Sequence, residues 1–361
     1  MTRPILLPGL PILWRGPRTL QLGLDPRRAL VVELPDPATV ALLDLLDGAR
    51  TEATLLAAAT RRGVDEPAGR ALLGVLRRHR LVVPADTLLP RGLDEPTRDR
   101  LLDEATAIAL DQRVAPGEAP SDGTRPGWRG TAPPPPEAGA PDAPAGPPAP
   151  ADILRRRAAA RVRVVGCGRL GVPIAVALAL SGVGHVDPTL DQGRRAAAAT
   201  TEIARLAPGT RTAALPRRSA ATFTVFVGQP PEPAVLRALS HRRLAHLPVC
   251  VRDGTALVGP LVRAGGVPCL NCLDLHRRDR DPAWPLIASQ LGALPESCAA
   301  TTVLAAAGYA AAEVLRHVDG GTPQTLGATV EIASPGEVRR RTWTPHPDCV
   351  CGRRRSSPGG R

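Results

Sequence analysis

A short valine-rich run, Val162 to Val165, passes directly into Gly166-Cys167-Gly168-Arg169-Leu170-Gly171 and then into an apolar stretch ending near Leu180. Glycines at these three positions permit a tight turn and a close backbone approach. They also leave helix N-terminal amides free to face a phosphate. The order strand, glycine turn, helix predicts an α/β domain built on a Rossmann-like nucleotide-binding unit. Such folds host many chemistries, so the site must be argued from its own residues.

At 361 residues the chain exceeds the usual size of one domain, which predicts two cores and a linker. The linker is visible from Asp111 to Ala151, where Pro and Gly recur, including Pro133 to Pro136, and bulky apolar residues are almost absent. Such a segment cannot bury enough surface to offset its ordering entropy, so it reads as a flexible tether. The expected division is a small domain over residues 1–90, a helix and tether over 91–151, and a larger domain over 152–361.

The formal charge of +12 would ordinarily point to nucleic acid or another acidic partner. All 46 basic residues are Arg, however, and they are scattered rather than grouped on one motif, which favours a solvated surface and argues against a nucleic-acid partner. No run approaches the roughly 20 apolar residues of a membrane span, and Met1 to Leu13 lacks the order of a signal peptide. The expectation is a cytoplasmic protein with no membrane partner. Its seven cysteines then call for metal ligation or reactivity rather than a disulfide framework.

In the N-terminal part, Thr19 to Leu24 alternates with leucines on one face and Ala29 to Leu34 follows a turn, which predicts a hairpin. Three helices come next, capped by Asp36, Thr51 and Asp65, and a strand over Leu81 to Val83 closes the unit. This is the outline of a small α+β winged helix-turn-helix. The phrase LLDLLDGARTEATLLAAATRRGVD, with GRALLGVLRRHRLVV after it, resembles the PqqD-like peptide-recognition module of ribosomal peptide biosynthesis over residues 14–84. An interaction domain without a peptide ligand and a DNA-binding regulator are the alternatives. The latter is poorly served by the second and third helices, which offer Arg61, Arg62, Arg77 and Arg78 but few Asn or Gln for reading bases.

The larger domain resembles the ThiF, MoeB and ubiquitin-activating family. VRVVGCGRLGVPIAVALALSGVGHV matches its nucleotide-binding start, and ESCAATTVLAAAGYAAAEVLRHVDGG matches its long helix after a loop cysteine, so the resemblance spans residues 160–351. It implies a ThiF-type NAD/FAD-binding fold with a zinc knuckle and, at the nucleotide, Gly166, Gly168, Gly171, Asp191, Arg194 and Arg195. The departures matter more. Active members carry a ribose acid, a loop Arg, a Lys and a metal-holding Asp. Here Pro188 interrupts the second strand, Asp191-Gln192-Gly193-Arg194-Arg195 follows at once, there is no Lys, and Phe223 to Val227 ends in Gly228-Gln229-Pro230. A second reading takes Asp191, 20 residues beyond Gly171, as the ribose acid of a dinucleotide fold, against which the proline in the strand argues. Adenylation needs cations and Mg²⁺ at the phosphates, so the site reads as degenerate and ATP as a doubtful cofactor.

Cys269-Leu270-Asn271-Cys272 and Cys349-Val350-Cys351 are two close thiol pairs, a pattern that fits a closed structural zinc site. The family carries two such knuckles at these places, although its second pair usually has two residues between the thiols. Cys298, just before the helix Ala299 to Val318, matches the family's loop cysteine. It is either a weak catalytic candidate, since a helix N-terminus favours a thiolate, or a small capping residue. Cys167 and Cys250 read as buried fillers. Between the first knuckle and Cys298 lies a charged crossover with an exposed Trp284. In the family this region covers the cleft for a partner's tail, which would make His276, Arg277, Arg278 and Trp284 a peptide clamp.

A peptide-recognition module tethered to a degenerate ThiF-like domain resembles the partner proteins of azole-forming (TOMM) cyclodehydratases. The expected partners are then a precursor leader peptide, held partly by Arg77, Arg78 and Arg80, and a YcaO-type enzyme that consumes the ATP, with homodimerisation a further option. An adenylating enzyme for a ubiquitin-like or sulfur-carrier protein is the runner-up, and a nicotinamide-dependent dehydrogenase comes third.

Overall fold

The computed structural model describes residues 2–24, 29–113, 147–190, 193–216, 221–228, 235, 239, 244–263, 268–290, 297–334, 337–349 and 351. Two compact units result, Met1–Leu154 and Arg155–Arg361.

In the first unit, β2 (Ile12–Trp14), β3 (Thr19–Leu22) and β4 (Leu30–Glu33) form an antiparallel sheet in that order. Leu20 and Leu22 of β3 are fully buried and alternate with half-buried Thr19 and Gln21, the period-2 pattern of a strand with one covered face. A 3-10 helix (Pro37–Leu45) follows, its first turn capped by the Asp36 carboxylate, which accepts from the Ala38 amide at 2.9 Å. Thr51 caps α1 (Glu52–Arg61) and Asp65 caps α2 (Glu66–Arg78), and the buried faces are Leu55, Leu56 and Ala59 on one and Leu72, Leu73 and Leu76 on the other.

Two features differ from the sequence reading. The closing strand β5 (Val82–Pro84) begins one residue late and pairs with β1 (Pro4–Leu6), so it lies in a separate two-stranded sheet rather than beside the hairpin. Leu81 is buried just ahead of it, and its carbonyl accepts from the Leu7 amide at 2.9 Å. Strands β1 and β2 were not anticipated, because three residues are too few to display a period. After the short α3 (Ala85–Leu88), α4 (Glu95–Asp111) packs Leu101, Ala105 and Ala109 against Leu7 and Leu88. The helix expected in the tether segment is therefore part of the first unit's core.

The helix α5 (Pro150–Ala159) carries the chain across the boundary between units and into β6 (Arg161–Gly166). A seven-stranded sheet follows, with β7 (His185–Leu190) at one edge, then β6, β8 (Phe223–Val227), β9 (Ala245–Arg252), β10 (Thr255–Val258), β11 (Ala328–Ser334) and β12 (Glu337–Thr342). Strands β7, β6, β8 and β9 are parallel and the rest form an antiparallel meander. The helices α6 (Gly171–Leu180), α7 (Arg194–Leu206) and α10 (Ala300–Val318) share one core with the sheet, centred on Val162, Val164, Phe223 and Leu247. This is the α/β nucleotide-binding architecture expected from the glycine turn.

Pro188 does not break the second strand. It sits opposite Val164 in an uninterrupted β7, which is an edge strand and not a central one. The Val186 amide donates outward to the Arg211 carbonyl at 2.9 Å, so two residues on, Pro188 directs its missing N–H to the same outer side and costs no bond to β6.

Candidate nucleotide turn and metal centre

Gly166 and Gly168 adopt φ of 126° and 115°, and a Cβ on Gly166 would lie 2.1 Å from the Val227 carbonyl oxygen. Gly171 sits where a Cβ would meet Leu190 Cδ2 at 2.5 Å. The close approaches anticipated for a nucleotide fold are thus present, between β6 and β8 and between α6 and β7. The Cys167 amide is already committed to Val227 O at 3.0 Å, while α6 begins without any side-chain cap.

Chemistry around this turn is sparse. Arg194 and Arg195 occupy the first turn of α7, directly after Gly193 at φ 69°, and Asp191 lies outside the described residues. Among the described residues that directly follow β6, β7 and β8 there is no carboxylate. The nearby Asp187 is buried and consumed: it pairs with Arg163 at 2.9 Å and accepts from the Leu215 amide and the Thr189 hydroxyl, each at 2.9 Å. Sequence reading did not single out Arg169, which reaches from the turn to hydrogen-bond the Cys298 carbonyl.

Cys298 lies one residue before the α10 cap, Ala299, and its thiol donates to the Gly254 carbonyl at 3.2 Å instead of meeting the helix amides. The electrostatic activation expected at a helix N-terminus therefore has no matching hydrogen bond. Cys167 and Cys250 are half-buried rather than fully enclosed fillers.

The four paired thiols do converge. Cys269 caps α8 (Leu270–Arg280) and Cys272 lies in its first turn, whereas Cys349 and Cys351 arrive from the chain's far end. The sulfurs of Cys269 and Cys272 are 3.8 Å apart, those of Cys269 and Cys349 3.6 Å, and those of Cys272 and Cys351 3.3 Å, with all four within 4.8 Å of one another. A tetrahedron with Zn–S bonds of about 2.3 Å has edges of about 3.8 Å, so the spacing fits a tetrathiolate cation site. Burial pushes the Cys269 thiol up to about 11 in the metal-free cluster. At Cys349 burial also acts upward, but hydrogen bonds from Asn271 and from the Cys351 amide outweigh it and hold the thiol at about 7. A divalent cation would offset the charge that such crowded thiols resist acquiring. Asn271 Nδ2 donates to Cys349 Sγ at 3.2 Å, an outer contact that orients a ligand.

The residues expected to clamp a peptide gather around this cluster and are largely occupied by the chain itself. His276 Nε2 lies 2.9 Å from the Thr344 carbonyl and its ring meets His346 edge-on at 4.8 Å. Arg277 stacks over Trp284 at 4.8 Å and pairs with Asp274 at 3.5 Å, and burial lowers its pKa. Arg278 pairs with Asp279 at 3.6 Å and Asp348 at 4.0 Å. Trp284, at the start of α9 (Trp284–Gln290), is half-buried rather than exposed, with its indole N–H donating to Asp274 at 3.3 Å. His346 is almost fully buried and bonds Asp279 at 2.6 Å, a contact that helps fix the segment carrying Cys349.

In the first unit, Arg77 pairs with Glu52 at 2.8 Å, Arg78 is exposed, and Arg80, at φ 52°, donates to the Gln112 carbonyl at 3.3 Å.

No family model matches the chain, and neither does any curated protein. Solved structures do match. The chain has the fold of MccB. Escherichia coli MccB with MccA-N7isoASN aligns at a TM-score of 0.61 and 16% identity, over 98% of this chain and 100% of that one. The same protein with ATP aligns at 0.59 and 14% identity, over 96% and 99%. A heterocyclase in complex with substrate and cofactor aligns at 0.60 and 12% identity, over 97% of this chain but 39% of that one. Identity this low carries the fold alone, and the match to MccB extends over the residues of both units.

Proposed function

We propose that this protein binds the leader of a ribosomally made precursor peptide in its first unit and presents the peptide to a YcaO-type cyclodehydratase, with Cys269, Cys272, Cys349 and Cys351 holding one structural zinc. The observation that carries the reading is a combination. The glycine turn keeps its backbone geometry without a described carboxylate beside it, while both units follow a protein solved with its MccA peptide. The hairpin's open edge is β4, since β2 covers the other side of β3. An extended leader would add there as a strand, with α2 supplying side-chain selectivity. In the second unit Gly166 to Gly171 would offer at most backbone amides to a phosphate. Zinc would organise the C-terminal segment and take no part in chemistry, because all four positions are filled by thiolates.

Leader peptides encoded beside this gene test the reading: they should bind the full chain, and a YcaO-type partner should modify them only when it is present. Purified alone, the protein should release no pyrophosphate from ATP.

A second reading, ATP-dependent activation of a peptide or carrier-protein C-terminus, is favoured by the full-length likeness to a protein solved with ATP. Arg169, Arg194 and Arg195 would then have to replace the missing Lys. Peptide-dependent exchange of pyrophosphate into ATP, lost in Arg195→Ala, would establish it and remove the first.

A further inference from the structure

The first unit has a second open sheet edge. Strand β2 lies at the side of the sheet opposite β4, and its three residues, Ile12, Leu13 and Trp14, are 39%, 38% and 48% exposed. The Gly23 amide donates to the Pro11 carbonyl at 2.8 Å and the Arg15 amide to the Thr19 carbonyl at 2.9 Å, so the odd-numbered residues face β3. By the alternation of an antiparallel ladder, the N–H and C=O of Ile12 and Trp14 point away from the sheet. An uncharged, apolar edge of this kind is a template for another strand.

A cavity of about 430 Å³ adjoins the start of β2, walled by Leu10, Pro11, Leu24, Thr106, Ala107 and Leu110. Thr106 is 9% exposed, and its hydroxyl is buried without a hydrogen-bond partner.

We infer that the β2 edge and this cavity together dock an extended apolar peptide segment, one bulky side chain entering the cavity while the backbone pairs with Ile12 and Trp14. The inference rests on the reading that the first unit takes up a peptide, and it adds a contact surface distinct from the β4 edge. The size of the edge selects the occupant. Three residues span roughly 10 Å, so pairing along this edge covers only a small part of the roughly 800 Å² per partner that a stable homodimer buries. Exposed Arg15 and Arg18 flank the end of the strand, so acidic residues beyond the apolar segment complement it.

The test uses the full chain and a fluorescein-labelled synthetic peptide of alternating leucine and valine with two glutamates at each end. Ile12→Pro removes one outward N–H and leaves the ladder to β3 intact; Ala107→Phe fills the cavity from an exposed position and serves if the proline variant fails to fold. Val31→Pro removes the corresponding outward N–H of β4. Ile12→Pro and Ala107→Phe should each raise Kd at least tenfold, and Val31→Pro less than twofold. If Val31→Pro alone weakens binding, the inference falls while the peptide-binding reading stands. Absence of binding to the unaltered chain also overturns it, and failure of the neighbouring leader peptides as well would take the peptide reading with it. A concentration-dependent dimer abolished by Ile12→Pro would make the edge a self-pairing contact and overturn the inference.

Discussion

The two units hold their reactive potential in different kinds of group. In the first, what remains open to a partner is backbone: the outward amides and carbonyls of β2 and β4, framed by apolar side chains. In the second, the distinctive chemistry among the described residues is four converged thiols. The glycine turn explains why the contrast matters. Gly166 faces the Val227 carbonyl and Gly171 faces Leu190, so packing alone requires both glycines whether or not a nucleotide ever binds. The glycines of this turn are therefore accounted for by packing and carry no evidence of a bound nucleotide by themselves.

The largest expected effect comes from the thiols. Cys272→Ser should abolish stoichiometric zinc by elemental analysis and melt the second unit at least 10 °C earlier, since structural zinc contributes on the order of 10 kcal/mol in small zinc-folded peptides. A variant that loses its metal and melts unchanged would show that the cluster does not hold the second unit together, and the contrast between units would collapse.

Gly166→Ala should come next. A Cβ 2.1 Å from a backbone oxygen at φ 126° cannot be relieved by a side-chain shift, so a loss of about 4 kcal/mol is expected by denaturant titration. Gly171→Ala, which meets only the flexible end of Leu190, should lose about 1–3 kcal/mol. Equal losses would mean that the strand interior yields more readily than the packing argument allows.

A cap in the first unit offers a smaller probe. Thr51 accepts from the Thr54 amide at 3.4 Å, so Thr51→Ala should cost about 0.5–1 kcal/mol. Peptide affinity should change little, because the open strand edges are remote from this cap in sequence and in hydrogen bonding.

The mildest effect concerns pH. His246 of β9 is buried beside Phe226, and burial lowers its pKa from 6.5. The unfolded chain therefore binds this proton more readily than the folded one. The associated stability is full above about 6.5 and falls as pH drops from there towards the folded value. His246→Asn should flatten the decline of the melting temperature between pH 7 and 5; an unchanged slope would place the acid sensitivity elsewhere.

Local signals were legible wherever one residue type settles the backbone. The caps at Asp36, Thr51 and Asp65, the alternation of Leu20 and Leu22, and the strand–turn–helix at Gly166 each act within a few residues, so the sequence shows them. Pro188 misled because a proline's cost depends on which way its nitrogen faces, and strand order decides that. The surroundings of His276, Arg277 and Trp284 were not legible for a related reason: only the fold brings them to Thr344 and Asp274.

By itself the sequence determined that there are two units, which turn opens the α/β sheet and which four thiols pair, because composition, glycine geometry and ligand spacing are local properties. Only the tertiary structure decided that β7 is an edge strand, that β5 pairs with β1 and leaves the hairpin open, and that thiols about eighty residues apart lie within 4.8 Å. Those outcomes depend on which surfaces meet, and a contact between distant segments is fixed by the packing of everything between them.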